Sequence, residues 1–246
     1  MIEVNSVSKA FKTGFSGKKV QALTDLSLQI PKGEVFGFLG PNGAGKSTTI
    51  KLLLNLIRPD VGDVSILGRN VRDAKVRQAV GYLPENPYFY DYLSAEELLW
   101  FGGCASGVKH HILKERINHM LERVGLLAAR KRHLRTYSKG MVQRAGLALA
   151  LIHDPEVVIL DEPMSGLDPL GRKMVGDLIL DLKSEGKTVF FSSHILNDIE
   201  RFSDRIGIIS GGRLRLVGGL TEVVPAGDDL EAVFMRIVRE KGGVPV

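Results

Sequence analysis

Gly40, Pro41, Asn42, Gly43, Ala44, Gly45, Lys46, Ser47 is the stretch that decides how this 246-residue chain is read. It fits the pattern G-x-x-x-x-G-K-[ST]. On its amino-terminal side Glu34 to Leu39 reads as an apolar strand running into the glycines, and on its carboxyl side about Gly45 to Ile57 reads as a helix. Glycines let the backbone curl so that successive N–H groups aim at one anion, and the helix N-terminus adds its partial positive charge. Phosphate oxygens fit such a nest. Lys46 supplies a flexible point charge for β and γ phosphates, and the Ser47 hydroxyl can ligate Mg²⁺. Residues Gly40 through Ser47, with Thr48 beside them, are the expected nucleotide-binding set.

Outward from this turn, strands and helices alternate. Leu26, Leu28 and Ile30 have the period of a half-buried strand, and Asp63 to Leu67 and Ala79 to Leu83 read as short strands bounded by Gly62, Gly68 and Pro84. The middle changes character. Ser94 followed by Glu97 is a capping-box pattern opening a helix. Leu113, Ile117, Met120, Leu121 and Val124 fall at helical spacing with Gly125 as the C-terminal cap, and a third helix is expected from about Gly140 to Ile152. After Asp154 and Pro155 the alternation returns, with a strand over Val157 to Leu160, a helix over Pro169 to Ser184 capped by Asp168, and a strand over Thr188 to Phe191. The fold class is therefore α/β, with a core from 1–84 and 154–212, a helical insert at 85–153, and a tail at 213–246. That tail carries Leu230, Val233, Phe234 and Ile237 on one helical face, suited to packing on the core.

Composition sets the outer bounds. Hydrophobic residues make up 44% of the chain, enough for a substantial core, yet the longest apolar run, Ala145 to Ile152, is far short of the roughly 18 to 20 residues that cross a bilayer. Ile2 to Val7 is a short mixed stretch and does not read as a secretion signal, so a cytoplasmic location is expected. The single cysteine, Cys104, suits a reducing compartment and is expected to act as a small buried hydrophobe. Net charge is +5; its densest cluster is Arg130, Lys131, Arg132 and Arg135 with His133 among them. That cluster has no interleaved aromatics to stack bases, so it is read as a solvated basic face, and no nucleic-acid partner is expected. No internal repeat or sustained heptad pattern is present.

A phosphate cradle alone admits GTPases, kinases and many ATPases. The second signal is Asp161 and Glu162 at the end of the apolar run Val157 to Leu160. An apolar strand ending in two acids can divide two tasks. Asp161 holds the Mg²⁺ coordination shell, and Glu162 faces the γ-phosphate as a candidate base.

Ahead of that strand stands Tyr137, Ser138, Lys139, Gly140, Met141, which resembles the signature sequence of the ABC (ATP-binding cassette) ATPase family. Ser138 and the first N–H groups of the following helix, near Gly140, offer a second anion site. The resemblance covers nearly the whole chain. It implies a P-loop NTPase core with an N-terminal antiparallel β element and a helical subdomain inserted before the Walker B strand. It also implies ATP and Mg²⁺ as ligands, with ATP hydrolysis as the activity. In the family the signature of one subunit closes over ATP held in the cradle of the other. Ser138, Lys139, Gly140 and Met141 would therefore act in trans, and a second cassette, in a homodimer, is the expected partner.

Further positions match in order. Ser165, Gly166, Leu167, Asp168 resembles the D-loop, and His194 after Ser192 and Ser193 resembles the switch histidine, orienting Glu162 or the attacking water. Glu85 stands at the Q-loop position beside Mg²⁺, and Phe11, with Phe15 as competitor, stands where an aromatic stacks on adenine. There are departures. Glu85 replaces a glutamine, Lys139 a glycine, and Met141 a glutamine. Glu85, the Ser138 to Met141 segment and the tail Leu230, Glu231, Ala232, Val233, Phe234 are similar to the branch serving ABC-2 type exporters. Such a chain would sit on the inner face of the membrane through a transmembrane permease subunit. The alternatives weighed are a non-transport ABC ATPase of DNA repair, chromosome organisation or translation, and a small-molecule kinase on the same cradle.

Overall fold

The computed structural model describes residues 1–13, 18–224 and 229–239. In chain order the strands are β1 (Ile2–Thr13), β2 (Lys18–Ile30), β3 (Val35–Leu39), β4 (Val61–Ile66), β5 (Arg69–Asn70), β6 (Val80–Leu83), β7 (Val157–Asp161), β8 (Thr188–Ser193), β9 (Arg205–Ser210) and β10 (Arg213–Gly219). The α-helices are α1 (Lys46–Leu53), α2 (Ala74–Gln78), α3 (Ala95–Ala105), α4 (His110–Arg123), α5 (Lys139–Leu151), α6 (Pro169–Ser184), α7 (Leu196–Phe202), α8 (Leu220–Val223) and α9 (Leu230–Arg239). The chain forms two compact units, one from 1–77 and 188–246, the other from 78–187.

The first unit holds an antiparallel sheet in the order β2-β1-β4-β5 and a second set in the order β10-β9-β3-β8. In the latter, β3 runs parallel to both β8 and β9, which requires crossovers through helices. A parallel strand covered on both faces must be apolar throughout, and all five residues of β3 and all six of β8 are buried. Phe36, Phe38, Phe190 and Phe191 are its largest fully buried side chains, each contributing about 1.5–3 kcal/mol of transfer free energy. Helix α7 packs on β3 so closely that a Cβ on Gly37 would lie 2.3 Å from Ser203 Oγ.

Within the second unit β6 and β7 pair in parallel. Helix α5 lies against β6 with almost no side chain between them, since a Cβ on Gly81 would approach the Ala150 carbonyl to 2.2 Å. Helices α3, α4 and α5 pack on one another through Leu98, Leu99, Leu113, Ile117, Leu121, Ala145 and Ala148, all buried. The capping box is present: Ser94 Oγ accepts from Glu97 N at 3.3 Å and Ser94 N donates to Glu97 Oε2 at 2.8 Å. Gly125 closes α4 at φ 63°, and Asp168 caps α6 with Pro169 in its first turn.

Three expectations need correction, and the first strand has no legible pattern. Helix α1 stops at Leu53, short of Ile57, because Asn55 turns left-handed at φ 53° and the N–H of Leu56 returns to the Lys51 carbonyl. Ile2 to Val7 belongs to a twelve-residue strand; register shifts after Val4 and Val7, with Ser6 at φ 46°, break the alternation that would have revealed it. Cys104 is half-buried, its Sγ 3.5 Å from His110 Nε2. Arg130 is not a solvated charge: it grips Glu96 through Nε at 3.0 Å and Nη2 at 2.6 Å and donates to Asn118 Oδ1 at 2.7 Å. Its guanidinium holds the Glu96 carboxyl below the usual carboxylate range. In the tail, Leu230 and Val233 are buried while Phe234 and Ile237 are half-buried. Phe15 and tail residues 225–228 and 240–246 lie outside the described residues.

Candidate functional site

Two candidate half-sites are found, one in each unit. In the first, β3 delivers the chain to Gly40, whose missing side chain is required: a Cβ there would meet the Ile209 carbonyl at 2.5 Å. Gly43 and Gly45 are left-handed at φ 76° and 116°, the second at the N-cap of α1. The Ala44 N–H bonds the Pro41 carbonyl at 3.1 Å, and Thr49 Oγ1 donates to the Gly45 carbonyl at 3.0 Å. Lys46 is 7% exposed and its Nζ donates to the Gly40 carbonyl at 2.6 Å, so the ammonium is folded over the loop that curls around it. Asn42, Gly43 and Ser47 face solvent, while Pro41 and Thr48 are half-buried. The cradle is braced by Gly212 in the turn between β9 and β10. The Gly212 N–H donates to Ala44 O at 2.9 Å and its carbonyl accepts from Thr24 N at 2.8 Å.

The parallel pairing brings a second element to this edge. Leu39 and Ser193 are register partners, so Gly40 and His194 leave the ends of neighbouring strands together. Ligands of open α/β sheets bind at such carboxyl ends. His194 is exposed, and Ser193 Oγ, accepting from Ile195 N at 3.0 Å, holds the turn that presents it. Phe11 lies on β1 opposite Val20; at 38% and 47% exposed, they form an apolar pair on the surface of the first unit. The Lys9 ammonium stands 5.7 Å from the Phe11 ring centroid.

In the second unit all of β7 is buried, and it ends at Asp161 and Glu162, 6% and 7% exposed. Nearly buried carboxylates are costly unless paired or hydrogen-bonded, and they gather at functional sites. Glu162 is also left-handed at φ 49°, an uncommon conformation for a residue with a Cβ and one that gathers at functional sites. Tyr82 of β6 senses Asp161: burial first, and then the Asp161 charge, pushes its phenol up to about 12. Register partners Leu83 and Leu160 place Pro84 and Glu85 just beyond the same strand ends as Asp161, with Glu85 exposed. Asp168 Oδ1 accepts from Gly171 N at 2.8 Å, which spends that carboxylate oxygen on the helix cap.

Ser138 is the N-cap of α5, its Oγ accepting from Met141 N at 3.2 Å. Ser138 and Lys139 are exposed, and Gly140 and Met141 half-exposed. Sequence reasoning missed Gly212, Tyr82 and Gln143. Gln143 is 2% exposed and donates to the Pro163 carbonyl at 3.4 Å; the one amide side chain in a helix rich in Ala and Leu was its available signal.

Among the described residues no group of three or more His, Cys, Asp or Glu side chains could hold a metal unaided. Mg²⁺ itself takes few protein ligands and completes its shell with waters and substrate phosphates. Ser47 and Asp161 are oxygen donors of the right kind.

Comparison with known proteins agrees with this chemistry. Residues 23–165 match the family model described as ABC transporter. An uncharacterised ABC transporter ATP-binding protein of Synechocystis sp. is 50% identical over 237 residues, covering 95% of this chain and 67% of that protein. The linearmycin resistance ATP-binding protein LnrL of Bacillus subtilis is 37% identical over 225 residues, covering 91% of this chain and 70% of its own length. Among solved structures, an ATP-binding cassette in a dimeric post-hydrolysis state with ADP and Pi superposes with a TM-score of 0.82 at 25% identity, covering 89% of this chain and 98% of that one. The chain belongs to the ABC transporter family, as an ATP-binding cassette ATPase.

Proposed function

We propose that this cassette powers a membrane exporter of the ABC-2 type, pairing with a second copy of itself so that each ATP is held between the cradle of one chain and the signature segment of the other. The observation that carries pairing is the form of the half-site at Ser138. It is a capped helix start with exposed Ser138 and Lys139, built like an anion site and presented outward. The cradle, by contrast, encloses its own lysine. A dimeric cassette among the structural neighbours supports the same arrangement.

Within each composite site the roles divide by chemistry. Lys46 and the N–H groups of Gly43, Gly45, Lys46 and Ser47 bind the β and γ phosphates, while the Ala44 N–H holds the loop closed on Pro41, and Phe11 stacks on adenine. Bound Mg²⁺ would neutralise phosphate charge, with Ser47, Asp161 and Glu85 as its protein-side oxygens. Glu162 takes the proton of the attacking water, and His194 orients that water or the base. The signature segment Ser138 to Met141 faces the γ-phosphate from the partner chain with the Ser138 hydroxyl and the first N–H groups of α5, and Asp168 fixes the turn beside it.

For the transport partner, the segment after Glu85 is suggestive. Tyr88, Tyr90 and Tyr92 are 94%, 62% and 61% exposed, and Phe101 on α3 is 63% exposed. Among the described residues no helix is long and apolar enough to cross a membrane. Such aromatic surface on the 85–153 helical segment suits a transmembrane permease, which would seat the cassette on the inner membrane face. Linearmycin resistance in the name of one relative is in keeping with export. Nothing in these relatives favours the non-transport alternative. Copurification tests the assignment: tagged chain extracted from its native membrane brings down an integral membrane protein of several spans, and its loss on changing Tyr88 and Phe101 to Ser locates the contact. Recovery of the cassette with no membrane subunit contradicts it.

A further inference from the structure

The residue that departs most from the family's signature, Lys139, has a structural task in the second unit. Gly166 is left-handed at φ 71°, and a Cβ built on it would lie 2.9 Å from Lys139 Cε, 3.0 Å from Cδ and 3.2 Å from Nζ. The lysine side chain therefore lies across the backbone of Gly166. One residue on, Gly140 faces Leu167, whose Cδ2 would be 3.3 Å from a Cβ there. One helical turn beyond Lys139, on the same face of α5, Gln143 donates to the Pro163 carbonyl at 3.4 Å. Three positions in the first turns of α5, 139, 140 and 143, thus meet three points of the turn 163–167, and that turn begins directly after Glu162.

Glu162 needs such a grip. Its backbone sits in a region that a side-chain-bearing residue leaves unless its surroundings hold it there. Its own turn supplies one hydrogen bond, Ser165 N to the Glu162 carbonyl at 3.0 Å. Among the described residues the Lys139 ammonium makes no hydrogen bond or ion pair, so what binds it to Gly166 is its methylene stem.

We propose that Lys139 is a positioning residue for ATP hydrolysis: its aliphatic stem clamps the turn at Gly166 to the first turn of α5, so that the signature segment and the carboxylate of Glu162 in the same chain shift together. The inference rests on the composite-site reading above, since only in a paired site does the signature of one chain report to nucleotide held by the other. A base displaced by a fraction of an ångström loses rate without losing substrate.

The test separates stem from charge. Lys139→Ala keeps α5 but removes the stem; Lys139→Met restores the stem without charge; Lys139→Arg restores both. Steady-state ATPase is measured for each alongside thermal unfolding. Lys139→Ala lowers kcat about tenfold with KM for ATP changed less than about twofold, and Lys139→Met recovers most of that loss. Should Met behave like Ala while Arg recovers activity, the ammonium acts on phosphate and the clamp is overturned; an unchanged kcat in Lys139→Ala overturns it as well. A parallel measurement keeps the underlying reading distinct. In a Glu162→Gln background, ATP-dependent dimer formation by gel filtration persists in Lys139→Ala if pairing is right and only the clamp is in question. Absence of that dimer in Glu162→Gln itself strikes the composite site instead.

Discussion

The two half-sites proposed for one kind of anion have opposite constructions. At the cradle, backbone geometry does nearly everything: Gly40 and Gly45 sit where a Cβ would collide, Gly43 and Gly45 hold left-handed dihedrals that residues with a Cβ seldom adopt, and the lysine is buried under its own loop. At the signature, ordinary α-helix geometry suffices, since a capped helix start with exposed residues needs no forbidden dihedral. The first is an enclosure and the second a surface. An enclosure binds by itself, whereas a surface binds only what is brought to it, and in the pairing proposed above this difference is why one chain would recognise a nucleotide and a second would close over it.

Changing the chemistry in place should separate the halves most sharply. Glu162→Gln removes the proton acceptor and leaves the cradle, so hydrolysis falls about 10²- to 10⁴-fold while binding of a fluorescent ATP analogue persists. Comparable loss of both in that variant would show that the strained turn, not the base, has been broken. Lys46→Ala deletes a charge-assisted contact of about 1.5–3 kcal/mol and weakens nucleotide affinity roughly ten- to a hundredfold, measured on dilute protein where pairing plays no part. Ser138→Ala sharpens the contrast. It costs about 1 kcal/mol of helix-cap stability in urea unfolding but barely alters affinity in the same dilute assay.

The same logic explains what could be read from residues alone. The cradle was legible because its dihedral demands leave a sequence pattern with few other uses. Asp161 and Glu162 were legible as acids ending an apolar strand, and the caps at Ser94, Asp168 and Gly125 because each satisfies a helix end locally. The signature was legible only by resemblance, since a serine before a helix is common. Strand β1 escaped because bulges scramble its alternation. The brace at Gly212 and the grip of Gln143 are contacts across long stretches of chain, at separations where local pattern carries no information.

A smaller effect concerns the second unit alone. His153 is half-buried, Nε2 donates to the Val80 carbonyl at 3.2 Å, and burial pushes its imidazole below the ordinary value near 6.5. A group with a depressed folded pKa contributes stability above its unfolded pKa that is lost as pH falls through the folded one. The urea midpoint should therefore decline as pH drops from about 7.5 through the region below 6.5. His153→Gln should flatten that decline. Asp154, held low first by its bond to Lys187, keeps its contribution until the pH approaches the carboxylate range, so the two windows are separable.

Mixing tests the division into enclosure and surface most directly. Chains carrying Lys46→Ala and chains carrying Ser138→Arg are each expected to be inactive as ATPases. Combined in equal amounts, half the dimers are mixed, and each mixed dimer has one site with an intact cradle facing an intact signature, so about a quarter of wild-type activity should return. If both halves of the clamp came from a single chain, mixing would restore nothing.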